Sequence, residues 1–323
     1  MVRTEQDRVR LARRSGEAQV RILITGGAGY VGAGLTERLL QMPAVEHVTV
    51  YDNLSRPQRN FFTVGEAFPR GKLTFVEGEL LDSRSLERVT RNVDLVFHLA
   101  ARVTTPFADE SPHLFDQTNN WGTAELVYAI EQSEVAKLVY LSSAAVYGFS
   151  SEPVGVHTTP HPITPYGSSK LRGEGHVERL SAKRRAHIAR CGTVYGHGRC
   201  VRFDTVVNRF VFDANFSGRI TIHGDGQQCR PFIHLDQVVK VLASAVDQDL
   251  PAAKFDLVDR TLSVNDLVTA LRRLHPNLEL LFANQHLRLR DLKVTPDPAV
   301  RALCGDSRDL VDELRAFRDS FTF

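Results

Sequence analysis

The chain of 323 residues carries 40 Lys and Arg against 38 Asp and Glu, and is 42% hydrophobic and 24% charged. That balance belongs to a soluble globular chain with room for a sizeable core, in one large domain or two closely joined ones, and it offers no basic face for nucleic acid as a bulk partner. No apolar run approaches the ~18 residues of a membrane-spanning helix. Cys191, Cys200, Cys229 and Cys304 show neither CxxC nor metal spacing, so reduced thiols in a cytoplasmic setting are expected, with no disulfide framework and no metal centre.

Residues 1–19 mix Arg3, Arg8, Arg10, Arg13 and Arg14 with Glu5, Asp7 and Glu17. They lack the apolar core of a signal peptide and read as a mobile extension. The apolar run Val20–Thr25 then passes directly into glycines spaced three apart, Gly26, Gly29 and Gly32, and a helical pattern follows over Val31–Gln41. Strand, tight turn, helix is the arrangement that offers a helix N-terminus and bare backbone N–H groups to a diphosphate. The next apolar run, His47–Tyr51, ends in Asp52, placed to take the ribose hydroxyls of a dinucleotide. An acid there favours NAD, because a 2′-phosphate would meet like charge.

Further strand-like runs are Leu73–Val76, Asp94–Ala100, Lys137–Ser142 and His187–Cys191. Helical patterns cover Ser83–Arg91, Leu114–Gln132 and Tyr166–Arg179. Alternating elements with strands apolar on both faces predict an α/β fold, a doubly wound parallel sheet. After Cys191 the chain becomes irregular, rich in glycine, arginine and short strands, until a helix over Val238–Val246, a strand over Lys254–Val258 and a helix over Val264–Leu274. Residues 20–191 therefore read as a dinucleotide-binding domain, with 231–260 returning to it, and 192–323 as a smaller, irregular substrate domain over the carboxyl ends of the strands. Asp82 reads as the N-cap of its helix, or as an acid facing adenine. His98 reads as a satisfied histidine at a strand end.

Tyr166-Gly167-Ser168-Ser169-Lys170 carries the most chemistry. Residues four apart share a helix face, so the phenol and the ammonium sit together. A tyrosine ordinarily loses its proton near pH 10, and bringing that to neutrality takes about 4 kcal/mol from neighbouring positive charge. Ser143, at the end of the fifth strand, is placed to bridge Tyr166 and a substrate hydroxyl, and Ser142 reads as a structural hydroxyl.

Together these residues resemble the extended short-chain dehydrogenase/reductases, specifically the NAD-dependent nucleotide-sugar epimerase/dehydratase family. The resemblance runs from Arg21 to about Leu274. It rests on Thr25-Gly26-x-x-Gly29-x-x-Gly32, Asp52-Asn53-Leu54-Ser55, Phe97-His98-Leu99-Ala100-Ala101, Asn119-x-x-Gly122-Thr123, Ser143 before Val146-Tyr147-Gly148, Tyr166-x-x-x-Lys170, Val194-Tyr195-Gly196, Gly224-Asp225-Gly226-x-x-x-Arg230 and Phe232-Ile233-His234-x-Asp236. It implies a Rossmann fold with NAD held by Gly26, Gly29, Tyr30, Val31, Gly32, Asp52, Asn53, Leu80, Leu99, Ala100, Ala101, Asn119, Tyr166 and Lys170. It implies Tyr166 as base, Ser143 as its hydrogen-bond partner, and Lys170 as the residue that binds the nicotinamide ribose and lowers the tyrosine pKa. Arg230 and Arg288 would hold a nucleotide-sugar diphosphate, with Arg290 an alternative to Arg288, and Thr193 stands where many relatives have asparagine.

Dehydratases of this family place an acid pair after the catalytic hydroxyl residue, where this chain has Ala144-Ala145. That leaves a nucleotide-diphosphate-sugar 4-epimerase as the leading reading. A keto-sugar or natural-product carbonyl reductase using the same residues and a non-catalytic NAD-binding regulator are the rivals. The helix after Tyr166 contains Gly173 and Gly175 and is more polar than the dimer-forming helix of relatives, which weakens the homodimer that the resemblance implies.

Overall fold

A computed structural model of the chain describes residues 19–56, 60–63, 68–69, 71–103, 111–284, 291–305 and 307–321. The basic N-terminal stretch, Arg288 and Arg290 lie outside the described residues.

Seven strands form one parallel sheet: β1 (Val20–Thr25), β2 (Val45–Asp52), β3 (Leu73–Glu77), β4 (Leu95–His98), β5 (Lys137–Ser143), β6 (Arg185–Cys191) and β7 (Lys254–Leu257). Their order across the sheet is β3-β2-β1-β4-β5-β6-β7, the Rossmann-like order in which the strand sequence reverses beside β1. Alternation along β1 shows why helices must cover both faces. Ile22 and Ile24 pack with α1 (Tyr30–Leu40) on one side, while Leu23 joins the core under α2 (Ser83–Val89), α3 (Gly122–Glu131) and α4 (Pro165–Ser181) on the other. The register brings Thr25 beside Tyr51 and His98, and Ser143 beside Cys191, so the carboxyl ends of the strands form one ledge.

Asp82 is the helix cap: its carboxylate accepts the Ser85 N–H at 3.0 Å. His98 is buried, with its two ring nitrogens 2.7 Å from the Thr25 hydroxyl and 2.9 Å from the Thr123 hydroxyl. Desolvation pushes its pKa down to about 3, so it stays neutral and structural.

The sequence-based outline misses three features. The expected helix over Leu114–Gln132 is three joined pieces, Pro112–Phe115, a π-helical turn over Asp116–Trp121, and α3. The stretch read as irregular contains α5 (Val206–Phe216), whose Val207, Phe210, Val211 and Ala214 form a buried stripe at helical spacing. Following α6 (Leu235–Ser244) and α7 (Val264–Leu274), the late helix α8 (Leu310–Asp319) was also unforeseen. It is capped by Asp309, which accepts the N–H groups of Val311 at 2.8 Å and Asp312 at 3.2 Å. Beyond the main sheet, Cys229–His234 pairs in parallel with Thr193–Tyr195 and antiparallel with Arg260–Ser263. This small sheet lies beside the ledge.

The two glycines of α4 differ. A Cβ on Gly173 would lie 2.4 Å from the Tyr140 hydroxyl and 2.8 Å from the Asn119 carbonyl oxygen, whereas one on Gly175 would meet nothing within 4 Å. Close packing requires the first glycine and tolerates replacement of the second. Gly175→Ala is therefore expected to stabilise the fold by about 1 kcal/mol, a Tm rise of about 2–4 °C, and Gly173→Ala to lower the Tm. Thermal unfolding of the two variants checks both signs.

Candidate active site

The glycine turn takes its shape from close approach. Gly26 adopts φ +74°, and a Cβ there would lie 2.5 Å from the Ala100 backbone nitrogen. One on Gly32 would lie 2.2 Å from the Gly26 carbonyl oxygen. Gly29, the N-cap of α1, offers no side-chain cap, and Gly29, Tyr30, Val31 and Gly32 line the cleft at the positive end of the helix dipole. This is a cradle for a dinucleotide diphosphate. Asp52 stands at its edge and accepts backbone N–H groups from Leu54 at 2.9 Å and Ala28 at 3.1 Å. Burial raises its pKa, and those two bonds work against the rise.

One cavity of about 1300 Å³ runs along the ledge. Gly26, Gly29, Tyr30, Val31, Gly32, Asp52, Asn53, Leu80, Leu99, Ala100 and Ala101 line one end. Ser143, Tyr166, Lys170, Thr193 and Arg230 line the other. Asn119 is the exception among the expected residues: it lies behind the wall. Its amide holds the Arg102 backbone in both directions, at 2.8 and 2.9 Å, and donates to the Ser169 hydroxyl at 2.9 Å. Asn119 is carried by the π-helical turn and is buried.

Thr164 caps α4 by accepting the Gly167 N–H at 3.0 Å, and Pro165 opens the first turn. Tyr166 thereby projects from the start of a rigid helix. Ser143 lines the same end of the cavity, and its hydroxyl oxygen accepts the Ala145 N–H at 3.2 Å. Desolvation holds the Tyr166 pKa above its ordinary value. Ser143 and the guanidinium groups of Arg202 and Arg56 oppose that rise. Two arginines that the sequence reading did not single out thus act on the phenol. The Lys170 ammonium instead sits 4.2 Å from the centre of the Tyr140 ring, and burial pushes its pKa down to about 7 despite the opposing charge of Glu174.

Beneath this pair, Glu174 accepts the Ser142 hydroxyl at 2.6 Å and holds Arg190 through Nε at 3.0 Å and Nη2 at 2.7 Å. Ser142 is a structural hydroxyl, as its sequence context suggested. Arg230 is largely enclosed, donates to the Cys229 carbonyl oxygen at 3.0 Å, and has its pKa lowered by burial. Sequence reasoning missed Arg202, Phe203, Asp204 and Arg209, which line the cavity from the segment before and within α5. No glycine spacing or strand end marks such residues, and only the buried stripe of α5 could have flagged the segment.

Comparison with known proteins agrees with this geometry. The profile of the NAD dependent epimerase/dehydratase family matches residues 22–255. The chain is 30% identical over 234 residues to "Uncharacterized UDP-glucose epimerase YtcB" of Bacillus subtilis, covering 70% of this chain and 72% of that one. It is 26% identical over 244 residues to human dTDP-D-glucose 4,6-dehydratase, covering 73% and 68%. Among solved structures, MoeE5 in complex with UDP-glucuronic acid and NAD superposes with a TM-score of 0.78 at 27% identity, covering 93% of this chain and 98% of that one. The glycine cradle, the acid at the end of β2 and the length of the cavity all fit NAD.

The buried lysine has a consequence for stability. Folded Lys170 gives up its proton at about 7, against an ordinary value of 10.5. Between those values the unfolded chain binds more protons, so this residue's contribution to stability rises with pH through that window. Lys170→Met is expected to melt above the parent protein below pH 7 and to lose that advantage as pH climbs toward 10. Thermal unfolding of the cofactor-free proteins across that range checks it. A difference independent of pH would show that the ammonium is not desolvated.

Proposed function

Since the chain belongs to the NAD dependent epimerase/dehydratase family, we propose that it is a nucleotide-diphosphate-sugar 4-epimerase working through transient oxidation at C4. The observation that carries this reading is the set of acids in the cavity. Among the described residues these are Asp52, Glu79 and Asp204. Asp52 caps backbone N–H groups, Glu79 faces the Asn53 amide at 3.0 and 3.1 Å, and Asp204 is held by Arg202 through two bonds of 2.8 Å. Ala144 and Ala145 follow Ser143. No described carboxylate is free beside Tyr166 to remove water across C5 and C6, whereas a phenol, a hydroxyl and an ammonium suffice to oxidise a carbinol and reduce the ketone again.

In this reading residues 192–323 mostly hold the substrate, with 231–260 contributing to the NAD domain. Arg230 holds the sugar nucleotide's diphosphate, for which a planar guanidinium is well shaped, and Thr193 contacts the sugar side. Ser143 orients the C4 hydroxyl toward the Tyr166 oxygen, which takes its proton. Bound NAD supplies the acceptor for the C4 hydride and its return. Lys170 holds the nicotinamide ribose and adds positive charge to the site. The 4-keto sugar turns while its diphosphate stays fixed, so that C4 would take the hydride back on its other face while Tyr166 returns the proton to the C4 oxygen.

The test is an NMR and mass-spectrometric screen of nucleotide sugars for a product with inverted C4 configuration, without added coenzyme. Net consumption of NADH on a 4-keto sugar with no epimer would assign a reductase, and a 4-keto-6-deoxy product would assign a dehydratase. Tyr166→Phe is expected to keep the fold and NAD binding and to lose nearly all turnover. A near-normal kcat in that variant would move the proton-accepting role to another residue.

A further inference from the structure

α8 and the turn after it carry Glu313, Phe317 and Phe321 four residues apart, which places them along one side of the helix. The turn prolongs the helical path, for the Phe321 N–H donates to the Arg318 carbonyl oxygen at 3.2 Å. Each of the three side chains meets a different point of one other segment. The Tyr195 hydroxyl donates to the Glu313 carboxylate at 2.5 Å. The Phe317 ring centre lies 6.3 Å from that of His197, and the Phe321 ring centre 6.2 Å from that of Phe203.

That segment is a wall of the cavity. Thr193, Val194, Arg202, Phe203, Asp204 and Thr205 line the cleft, while Tyr195 and His197 make the contacts to α8 behind it. Phe203 belongs at once to the cavity lining and to a cluster of rings. Phe321 is the centre of that cluster: besides Phe203, its ring stands 5.3 Å from Phe216, 5.4 Å from Phe317 and 6.0 Å from Phe212. α8 itself is anchored elsewhere. Val311, Leu314 and Phe317 are buried in the core that Leu267 and Leu271 of α7 share. Ahead of the helix, the Arg260 guanidinium donates to the Arg308 carbonyl oxygen at 3.0 Å. The helix is thus a fixed rail, and the wall leans on it.

We propose that this side of α8 positions the substrate wall of the cavity, and that Phe321 sets how closely Phe203 and its neighbours stand to a bound nucleotide sugar. The proposal rests on reading that end of the cavity as the substrate end. A ring packed among four others fills its space, so removing it lets the Phe203 side of the wall fall back. A displacement of about 1 Å in such a wall is enough to weaken the hold on a bound molecule. The glycine turn and Asp52 belong to β1, α1 and β2, so the hold on NAD is expected to be spared.

The experiment uses the full chain and two readouts. Hydrogen–deuterium exchange on the cofactor-free protein reads the wall itself. Phe321→Ala is expected to speed exchange over residues 193–205 by about tenfold and to leave residues 20–32 at the parent rate. Calorimetry at saturating NAD reads the consequence, with UDP or dTDP as the probe, whichever the parent binds more tightly. The same variant is expected to bind that nucleotide about fivefold more weakly, and NAD within about twofold of the parent. Phe321→Tyr, which restores the ring, should return both readouts toward the parent, and circular dichroism confirms that the variants are folded. A folded Phe321→Ala protein with parent-like exchange over 193–205, or with parent-like nucleotide affinity, would overturn the proposal and leave Phe321 a packing residue. So would an equal loss for NAD and the nucleotide, the mark of general loosening. If the parent binds neither UDP nor dTDP, the nucleotide-sugar reading falls instead, and the exchange pattern alone decides the brace.

Discussion

Glu174 and Arg190 meet as a bidentate pair with both side chains 1% exposed, and the elements they tie together carry the chemistry of the cleft. Glu174 lies one turn beyond Lys170 on α4, Arg190 lies one residue before the end of β6, and the Ser142 hydroxyl at the end of β5 joins the same carboxylate. The Arg190 guanidinium also lies 4.8 Å from the centre of the Tyr147 ring, and the Tyr147 hydroxyl donates to Asp256 in β7 at 2.7 Å. One polar cluster thereby pins α4, three strand ends and the turn after Ser143 to one another. Losing one member of such a pair leaves a bare charge at a cost of about 3–5 kcal/mol, so the arrangement resists partial loosening. A phenol and an ammonium on α4 and a hydroxyl at the end of β5 need this kind of fixed base to keep their spacing.

Fixing the site has its own electrostatic cost. The burial that excludes water from Lys170 favours its neutral form, and the burial of Tyr166 favours the phenol over the phenolate. Both shifts run against the charge states that proton abstraction calls for. The protein surrounds them with groups that push the other way: Glu174 near the lysine, and Ser143, Arg202 and Arg56 near the tyrosine. A positively charged nicotinamide ring adds to the second set when the cofactor is present.

The sheet and one end of the cleft were legible in the sequence because their signals are local. Val20–Thr25 running into Gly26 is a strand, a turn and a helix start in consecutive residues, and the structure keeps those strand bounds. Val264–Leu274 was readable from Val264, Leu267, Val268 and Leu271 at helical spacing. Val206–Phe216 has a comparable stripe, but it is set in glycine- and arginine-rich surroundings that masked its period. Asn119 shows a different limit. Its residue type and spacing fit a ligand contact, and only the folded chain brings the Arg102 backbone, 17 residues away, against that amide. Arg56 and Arg202 are far apart in sequence and come to line one cavity through the fold alone.

The strand order places β7 at the edge of the sheet, hydrogen-bonded to β6 alone, although α5, α6 and two of the three strands of the small sheet come between them in the chain. As a ribosome delivers the polypeptide from its amino end, β6 must wait with an open edge of backbone N–H and C=O groups until Lys254–Leu257 emerges. The Asp256 carboxylate that receives Tyr147 arrives on that same late strand. The catalytic floor is therefore among the last parts of the central layer to close during synthesis, and a chain interrupted before residue 254 would leave both the sheet and its floor unfinished.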